Sequence, residues 1–514
     1  MRLSLNLIFI LVIFLAVSQF FLVSLSSPIV FGDEGYYAST SRWIAENHII
    51  PEFRPLAENK VYQDKADIIP LFFMLETFFF YFGEFGAKLL FPLLSLVTAL
   101  FAYVFVKSVS DKKIAIISAL TLLMTPALIT YGVMGYTDVL LLLLVICTAH
   151  FTTKAFDEKK QIHIILAGIF SGLTVLTKQS GPFIFIFIII YFLINFYKNI
   201  NKDTIKLIAT IFLIGLLVVT PLIIRNLSLF SDICYKTFSI NKKNCEPLFL
   251  EQPNKIEDLE FDGRNTGSGT EAGLLSFGIL NYFLFASGLT ITLLFLFGLG
   301  FLIVKRREKI FKISLAMILS TLPILYFSLD RAEDTARYLL PMNLGIIMIV
   351  GYLVNEIYKK SKDYNKYLAY AVIAVVLLSL WVYGQEKIDT MYIVKGFSPG
   401  FLDGCNWIRE NTAEEAVLFS TYEYHTRYQC NRNVAVSSDK EEILLSFNDT
   451  SYEHIKFNGI NYIFVLRGLI SEGKFSENYP VEFINYIENS NKFKKVYDNS
   501  DVYGQNGIII YEVL

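Results

Sequence analysis

Two adjacent carboxylates follow the first apolar run of this chain, in Phe31-Gly32-Asp33-Glu34-Gly35-Tyr36-Tyr37-Ala38. At a membrane edge two neighbouring acids lose solvation and repel each other, and charges at such depth usually serve a function. Acids held there suit base chemistry. The plainer alternative is that Asp33 caps the helix that follows. Asp64-Lys65-Ala66-Asp67 then precedes a short apolar stretch, and Gly135-Tyr136-Thr137-Asp138 ends one apolar run and opens the next. Lys178, in Leu176-Thr177-Lys178-Gln179-Ser180-Gly181-Pro182, is the one cation of a long apolar segment. Arg337-Tyr338-Leu339-Leu340-Pro341 and Arg225 mark two more helix ends. Each has a plain reading: an interfacial charge, a helix cap, or a lysine reaching for water. Acids able to move a proton and cations able to hold a phosphate gain meaning if one membrane face gathers them.

The elements that would gather them are apolar helices. The 514 residues are 54% hydrophobic and 18% charged, against about 25% charged in a soluble protein. Apolar runs of about 18–22 residues recur, the length that crosses hydrocarbon. They lie near 4–26, 87–107, 113–132, 139–156, 163–178, 180–198, 205–224, 279–304, 310–328, 338–358 and 367–384. The first is too long for a usual signal peptide and reads as an anchor. The fold class is therefore a polytopic α-helical membrane protein of about eleven spans, residues 1–385, with a soluble α/β domain at 386–514. No internal repeat is evident, and no basic stripe points to nucleic acid.

Lys305-Arg306-Arg307 and Lys359-Lys360 are expected to be cytoplasmic by the positive-inside rule, as is the N-terminus. Consistency with the other lysine-rich loops requires Ile68–Phe82 not to cross, so it reads as an amphipathic or re-entrant helix at the outer surface, beside a cavity. Residues 27–86, the turn at Tyr136–Asp138, the loop 225–278, the turn Asp330–Arg337 and 385–514 then lie outside. All the residues singled out above fall at that one face. The pairs Cys234/Cys245 and Cys405/Cys430 each share one exported segment and fit disulfides, four free thiols being the alternative. Cys147 reads as a packing residue.

Beyond Gly384 the pattern changes. Leu402–Glu410 and Phe483–Asn489 read as helices, and Ala416–Ser420, Tyr462–Leu466 and Gly507–Val513 as strands. His425 and His454 read as ordinary structural or surface residues, and Asn265–Gly273 as an outer loop rather than a phosphate cradle.

In order and spacing these motifs resemble the GT-C superfamily of lipid-linked-sugar glycosyltransferases. The branch they most resemble holds protein O-mannosyltransferases and lipid A aminoarabinose transferases. Asp33-Glu34 with Tyr37-Ala38 resembles the D-E-x-x-Y-A motif of that branch, and Asp64-Lys65 ahead of Pro70-Leu71 its acid/Lys-Pro-Pro element. Asp138 resembles the second acid, Leu173–Lys178 the G-L-x-x-L-T-K run, and Arg337–Pro341 the R-Y-x-x-P run. The match covers roughly residues 5–355 and departs at Ala66-Asp67-Ile68-Ile69-Pro70 and at Tyr36. No W-W-D-like motif argues for en bloc glycan transfer.

The resemblance implies a polyprenyl- or dolichyl-phosphate sugar as donor and a lipid-linked glycan, a protein or a membrane lipid as acceptor. An acceptor hydroxyl would attack the anomeric carbon and polyprenyl phosphate would leave, with inversion. Asp33 is assigned as base, its pKa expected to be raised by desolvation and by the neighbouring Glu34, while Glu34 is expected to hydrogen-bond within the first outer loop instead. Asp138 would orient the acceptor or a donor-side cation, and Lys65, Lys178, Arg337 and Arg225 would contact phosphate. Asp64, Tyr37 and Tyr338 are expected to line the same cavity. No cofactor is firmly implied and no metal site is predicted. The competing function is a transporter or flippase of lipid-linked glycans, which would favour charges near the bilayer midplane and repeated halves.

Overall fold

The computed structural model describes residues 33–58, 62–65, 70–196, 201–233, 248–249, 289–304, 309–328, 335–365, 399–435, 449–471 and 479–514, with scattered residues in 18–25 and 367–382. The chain runs through α1 (Asp33–Asn47), strands β1 (Phe53–Glu58) and β2 (Tyr62–Lys65), and the apolar helix α2 (Pro70–Phe80). A helical bundle follows: α3 (Gly83–Val109), α4 (Lys112–Leu123), α5 (Pro126–Val133), α6 (Thr137–Glu158), α7 (Gln161–Val175), α8 (Phe183–Phe196) and α9 (Lys202–Phe230). After the two-residue strand β3 (Leu248–Phe249) come α10 (Leu289–Val304), α11 (Lys309–Ser328), the single turn α12 (Thr335–Tyr338), a 3-10 turn at Leu340–Met342 and α13 (Asn343–Tyr364).

Among the described residues, four helices are long and apolar enough to cross a membrane: Gly83–Val109, Thr137–Glu158, Lys202–Phe230 and Leu340–Tyr364. A fifth candidate is the pair α4 and α5, bent by 54°. The bend falls at Thr125-Pro126, where proline opens the new helix as its first residue. Asp111 starts α4 by accepting from the backbone N–H groups of Lys113 and Ile114 at 2.9 Å each. Asn201 does the same for α9, accepting from Thr204 N–H at 2.9 Å.

Burial ranks these helices. In the most apolar window of α6, 83% of residues are buried, and in that ending with α13, 89%, so these two form the bundle centre. In α9 the figure is 22%, and Leu213, Leu216, Leu217 and Ile224 face outward, as a lipid-facing helix requires. Small residues bring α9 onto α7. A Cβ on Gly168 would lie 2.6 Å from Ile214 Cβ, and one on Gly172 would lie 2.6 Å from Gly215 O. Glycines four apart let two helix backbones touch where solvent exclusion no longer drives association.

Helix α2 lies in the Ile68–Phe82 stretch expected not to cross. Its 11 residues span about 16 Å, half of a bilayer core. Its polar residues Glu76 and Thr77 are buried while Met74 and Phe78 are more than half exposed. That pattern inverts a soluble amphipathic helix and suits a surface bathed in lipid. The expected spans at 4–26 and 367–384 lie largely outside the described residues.

The C-terminal part holds α14 (Pro399–Asn411), β4 (Val417–Phe419), α15 (Glu423–Cys430), β5 (Asn433–Val434), α16 (Asp449–Phe457), β6 (Tyr462–Leu466), β7 (Ile470–Ser471), β8 (Tyr479–Pro480), α17 (Val481–Asn489), β9 (Phe493–Asp498) and β10 (Ile508–Val513). Five strands pair in the order β5-β4-β6-β10-β9. β4 runs parallel to β5 and β6, and β10 antiparallel to β6 and β9. The apolar runs of β6 and β10 are buried, as expected of central strands between two packed faces. α15, α16 and β9 escaped the sequence reading because they are short and polar on at least one face.

Candidate active site

The charged residues sit at helix ends on one end of the bundle. Asp138 lies in the first turn of α6, where the helix dipole favours an acid. The chain reaches it through Gly135, whose φ is +70° and whose Cβ, if present, would lie 2.7 Å from the Phe91 ring. Only glycine suits that position. Lys178 sits in the turn after α7, closed by Gly181 N–H donating to Lys178 O at 2.8 Å. The start of α2 is tied to the same turn, since Leu71 N–H donates to Leu176 O at 3.1 Å. Arg337 lies on α12, and Asp33 is the first residue of α1.

These ends meet around one carboxylate. Asp138 has no solvent exposure. Lys178 Nζ donates to its Oδ1, and Arg337 Nε donates to its Oδ2 at 2.7 Å. Arg337 also reaches Asp33 Oδ2 through Nη1 at 2.6 Å and donates from Nη2 to the Tyr37 hydroxyl at 3.3 Å. Aromatic faces surround the cations: the Arg337 guanidinium lies 4.2 Å from the Tyr136 ring centroid, and Lys178 Nζ 4.3 Å from that of Tyr338. Two acids and two bases thus form one chain of charge with opposite signs alternating. In a site this dry, such a chain survives only because each charge is paired and hydrogen-bonded. Burial, with Asp33 adding to it, holds the Tyr37 hydroxyl well above the usual phenol range, so it stays neutral.

Asp33, Tyr37, Asp138, Lys178, Arg337 and Tyr338 therefore come together. One expectation about them needs correction: Asp33 is not the desolvated acid. Its side chain is 38% exposed, whereas Glu34 is completely buried. The first turn of α1 presents successive residues in different directions, so one carboxylate faces the opening and the next faces the packed interior. Arg225 stands apart; it donates to Asn226 Oδ1 at 2.9 Å and to Pro51 O at 2.7 Å. Asp64 and Lys65 lie on β2, and their side chains lie outside the described part, as do Cys234 and Cys245. Cys405 and Cys430 form a disulfide, and Cys147 is a buried free thiol.

The structure adds groups that sequence reasoning did not select. Glu76 of α2 is fully buried and accepts from Ser41 Oγ at 2.7 Å. Burial pushes its carboxyl up to about 8; the Ser41 bond opposes the shift and nearby Glu34 adds to it. A lone acid in an apolar run was the available signal. Tyr136 stood in the motif before Asp138, but its contact with Arg337, distant in sequence, gave no signal. Among the described residues no group of three or more His, Cys, Asp or Glu is arranged to hold a metal ion.

An apolar groove of about 990 Å³ opens between α8 and α9. Phe185, Ile189, Phe212 and Leu216 line it, and Val175 and Pro182, which flank the Lys178 turn, form one end.

Known proteins share this arrangement of helices. The Archaeoglobus fulgidus oligosaccharyltransferase in its apo form superposes with a TM-score of 0.65 at 13% identity, over 92% of this chain and 72% of that one. ArnT from Cupriavidus metallidurans, in a structure bound to undecaprenyl phosphate, superposes with a TM-score of 0.61 at 14% identity, over 99% of this chain and 98% of that one. The chain thus has the fold of these membrane glycosyltransferase structures. A third solved structure, the mycobacterial arabinofuranosyltransferase AftD, gives a TM-score of 0.58 at 13% identity over all of this chain and 40% of that one. Residues 64–224 also match the family model for dolichyl-phosphate-mannose-protein mannosyltransferase. No curated protein matches it in sequence.

Proposed function

We propose that this chain is a GT-C glycosyltransferase that transfers a sugar from a polyprenyl-phosphate donor to an acceptor hydroxyl at the outer membrane face, with inversion. The observation that carries the reading is the Asp33–Arg337–Asp138–Lys178 cluster, together with an apolar groove lined by Val175 and Pro182 on either side of the Lys178 turn. A donor with a polar sugar-phosphate head and a long isoprenoid tail needs both halves of that arrangement. The tail lies between α8 and α9, and the phosphate rests at the Lys178 turn.

Asp33 is the base, because it is the acid of the cluster open to an incoming hydroxyl. It takes the acceptor proton while the acceptor oxygen attacks the anomeric carbon. The bond from that carbon to the phosphate oxygen breaks on the opposite side, which inverts the centre. Lys178 and Arg337 stabilise the negative charge gathering on the departing phosphate, a task that fixed cations perform best where water is excluded. Asp138 holds both cations in place. Arg225, bonded to Pro51 O, anchors the segment after α1 rather than the phosphate.

The reading keeps about eleven spans, a cytoplasmic N-terminus and an exported domain from about 386 to 514. The undecaprenyl phosphate in the ArnT structure and the dolichol-phosphate in an archaeal oligosaccharyltransferase complex support a lipid-phosphate donor. The acids gather at helix ends rather than along the bundle, so nothing favours a flippase. Membranes containing the protein, incubated with radiolabelled polyprenyl-phosphate sugars, should yield a labelled product whose anomeric configuration is opposite to that of the donor. Label that only crosses the bilayer, still attached to lipid, would refute the transferase.

A further inference from the structure

Helix α15 belongs to the C-terminal part in sequence yet packs against α1. Its closest approach is at Gly35, directly after the Asp33-Glu34 pair. A Cβ there would lie 2.6 Å from the Tyr424 carbonyl oxygen and 3.2 Å from His425 N, so the two backbones meet with no room for a side chain. The Tyr424 ring lies 5.7 Å from that of Tyr36. Farther along, Arg42 donates to Tyr428 O at 3.3 Å and to Asn431 Oδ1 at 2.9 Å, and sits 4.7 Å from the Tyr428 ring centroid. Tyr428 packs with Ala38, Phe80 and Ala87, which joins α15 to α2 and α3 as well.

α15 is itself braced. Glu423 and Arg427 form a buried ion pair one turn apart. The disulfide joins Cys430, its last residue, to Cys405 on α14. Arg409 donates to Gln429 O at 2.6 Å, and Arg432 donates to Arg409 O at 3.0 Å and Thr412 O at 2.9 Å. α14 and α15 therefore form one stiff body, and it bears on the helix whose first residue is Asp33.

We infer that α15 is a positioning element of the transferase site: Tyr424 and the Gly35 contact set where α1 holds Asp33, and the Cys405–Cys430 disulfide fixes α15 in turn. This rests on the glycosyltransferase reading above. The α15 contacts described above fall on α1, α2 and α3, so these residues act through α1 and not on substrate. The physical reason is reach: a carboxylate displaced by about 1 Å from a reacting hydroxyl costs about 10²-fold in rate. Donor binding, assigned to the Lys178 turn and the α8–α9 groove, does not depend on that contact.

The test uses the full-length protein in detergent or membranes. It measures kcat, the KM for a radiolabelled polyprenyl-phosphate sugar and the thermal midpoint. Tyr424→Ala should lower kcat by about 10- to 100-fold with donor KM and midpoint near wild type. Tyr424→Phe, which keeps the ring packing on Tyr36, should restore wild-type kcat. Gly35→Ala and the Cys405→Ser/Cys430→Ser pair should shift kcat in the same direction as Tyr424→Ala. Wild-type kcat in both Tyr424→Ala and Gly35→Ala overturns the inference, as does a loss of kcat seen only with a matching loss of donor affinity and thermal midpoint. If Gly35→Ala does not fold, the Tyr424→Ala and Tyr424→Phe comparison decides alone. A wild-type protein that transfers no sugar overturns the underlying activity instead, so the two failures are told apart.

Discussion

Arg337 Nε donates to Asp138 Oδ2 at 2.7 Å across 199 positions of sequence. This bond closes the bundle end, joining the start of α6 to the turn before α13. Removing one partner leaves the buried cluster with unbalanced charge, Asp138 keeping Lys178, and Arg337 keeping Asp33 and Tyr37; breaking a buried pair costs up to about 3–5 kcal/mol. Asp138→Ala and Arg337→Ala should therefore each lower the thermal midpoint in detergent, and each should abolish transfer. Arg337→Lys should retain more stability than Arg337→Ala, because it keeps a charge, but lose rate, because it cannot span Asp138 and Asp33 at once.

Glu76 predicts a pH dependence of stability. Its carboxyl is raised to about 8 in the folded protein, first by burial, against 4.5 for an ordinary glutamate. Between those values the folded state keeps a proton that the unfolded state has released. Stability from this group is therefore full below about pH 4.5 and falls as pH rises through about 8. The wild-type thermal midpoint should decline across that window. Glu76→Gln, which holds the Ser41 contact without titrating, should flatten the decline and melt above wild type near pH 8. An unchanged slope in the variant would refute the assignment.

The groove makes a prediction about donor length. Ala209 lines it and is exposed. Ala209→Trp should fill the path of the tail, raising KM several-fold for long polyprenyl donors and leaving short-chain donors nearly unaffected. Competition assays with polyprenyl phosphates of graded length would show it; an equal rise for all lengths would place the tail elsewhere.

The gathering of the site was legible in sequence because the lipid environment makes each charge stand out. Asp138 and Lys178 interrupt long apolar runs, and counting spans from the lysine-rich loops put them at one face. Parity cannot show pairing, however. That Asp138 binds both Lys178 and Arg337 follows from the crossing of α6, α7 and α13. Asp33 and Glu34 show the same limit on a smaller scale: adjacent acids look equivalent in sequence, and only the orientation of α1 buries one and exposes the other. Arg225 resembled a phosphate ligand by position but is bonded to Pro51 O. In the C-terminal part the apolar strands β6 and β10 were readable from their composition. α15 was not, since its role comes from a backbone contact with Gly35 almost four hundred positions earlier.

Asp33→Asn tests the mechanism at its base. The variant removes proton acceptance while keeping size and a hydrogen-bonding group for Arg337, so protein yield, thermal midpoint and binding of polyprenyl phosphate should stay close to wild type. Sugar transfer from a radiolabelled polyprenyl-phosphate donor should fall by about 10²-fold or more. Transfer by Asp33→Asn at the wild-type rate would show that another group takes the acceptor proton.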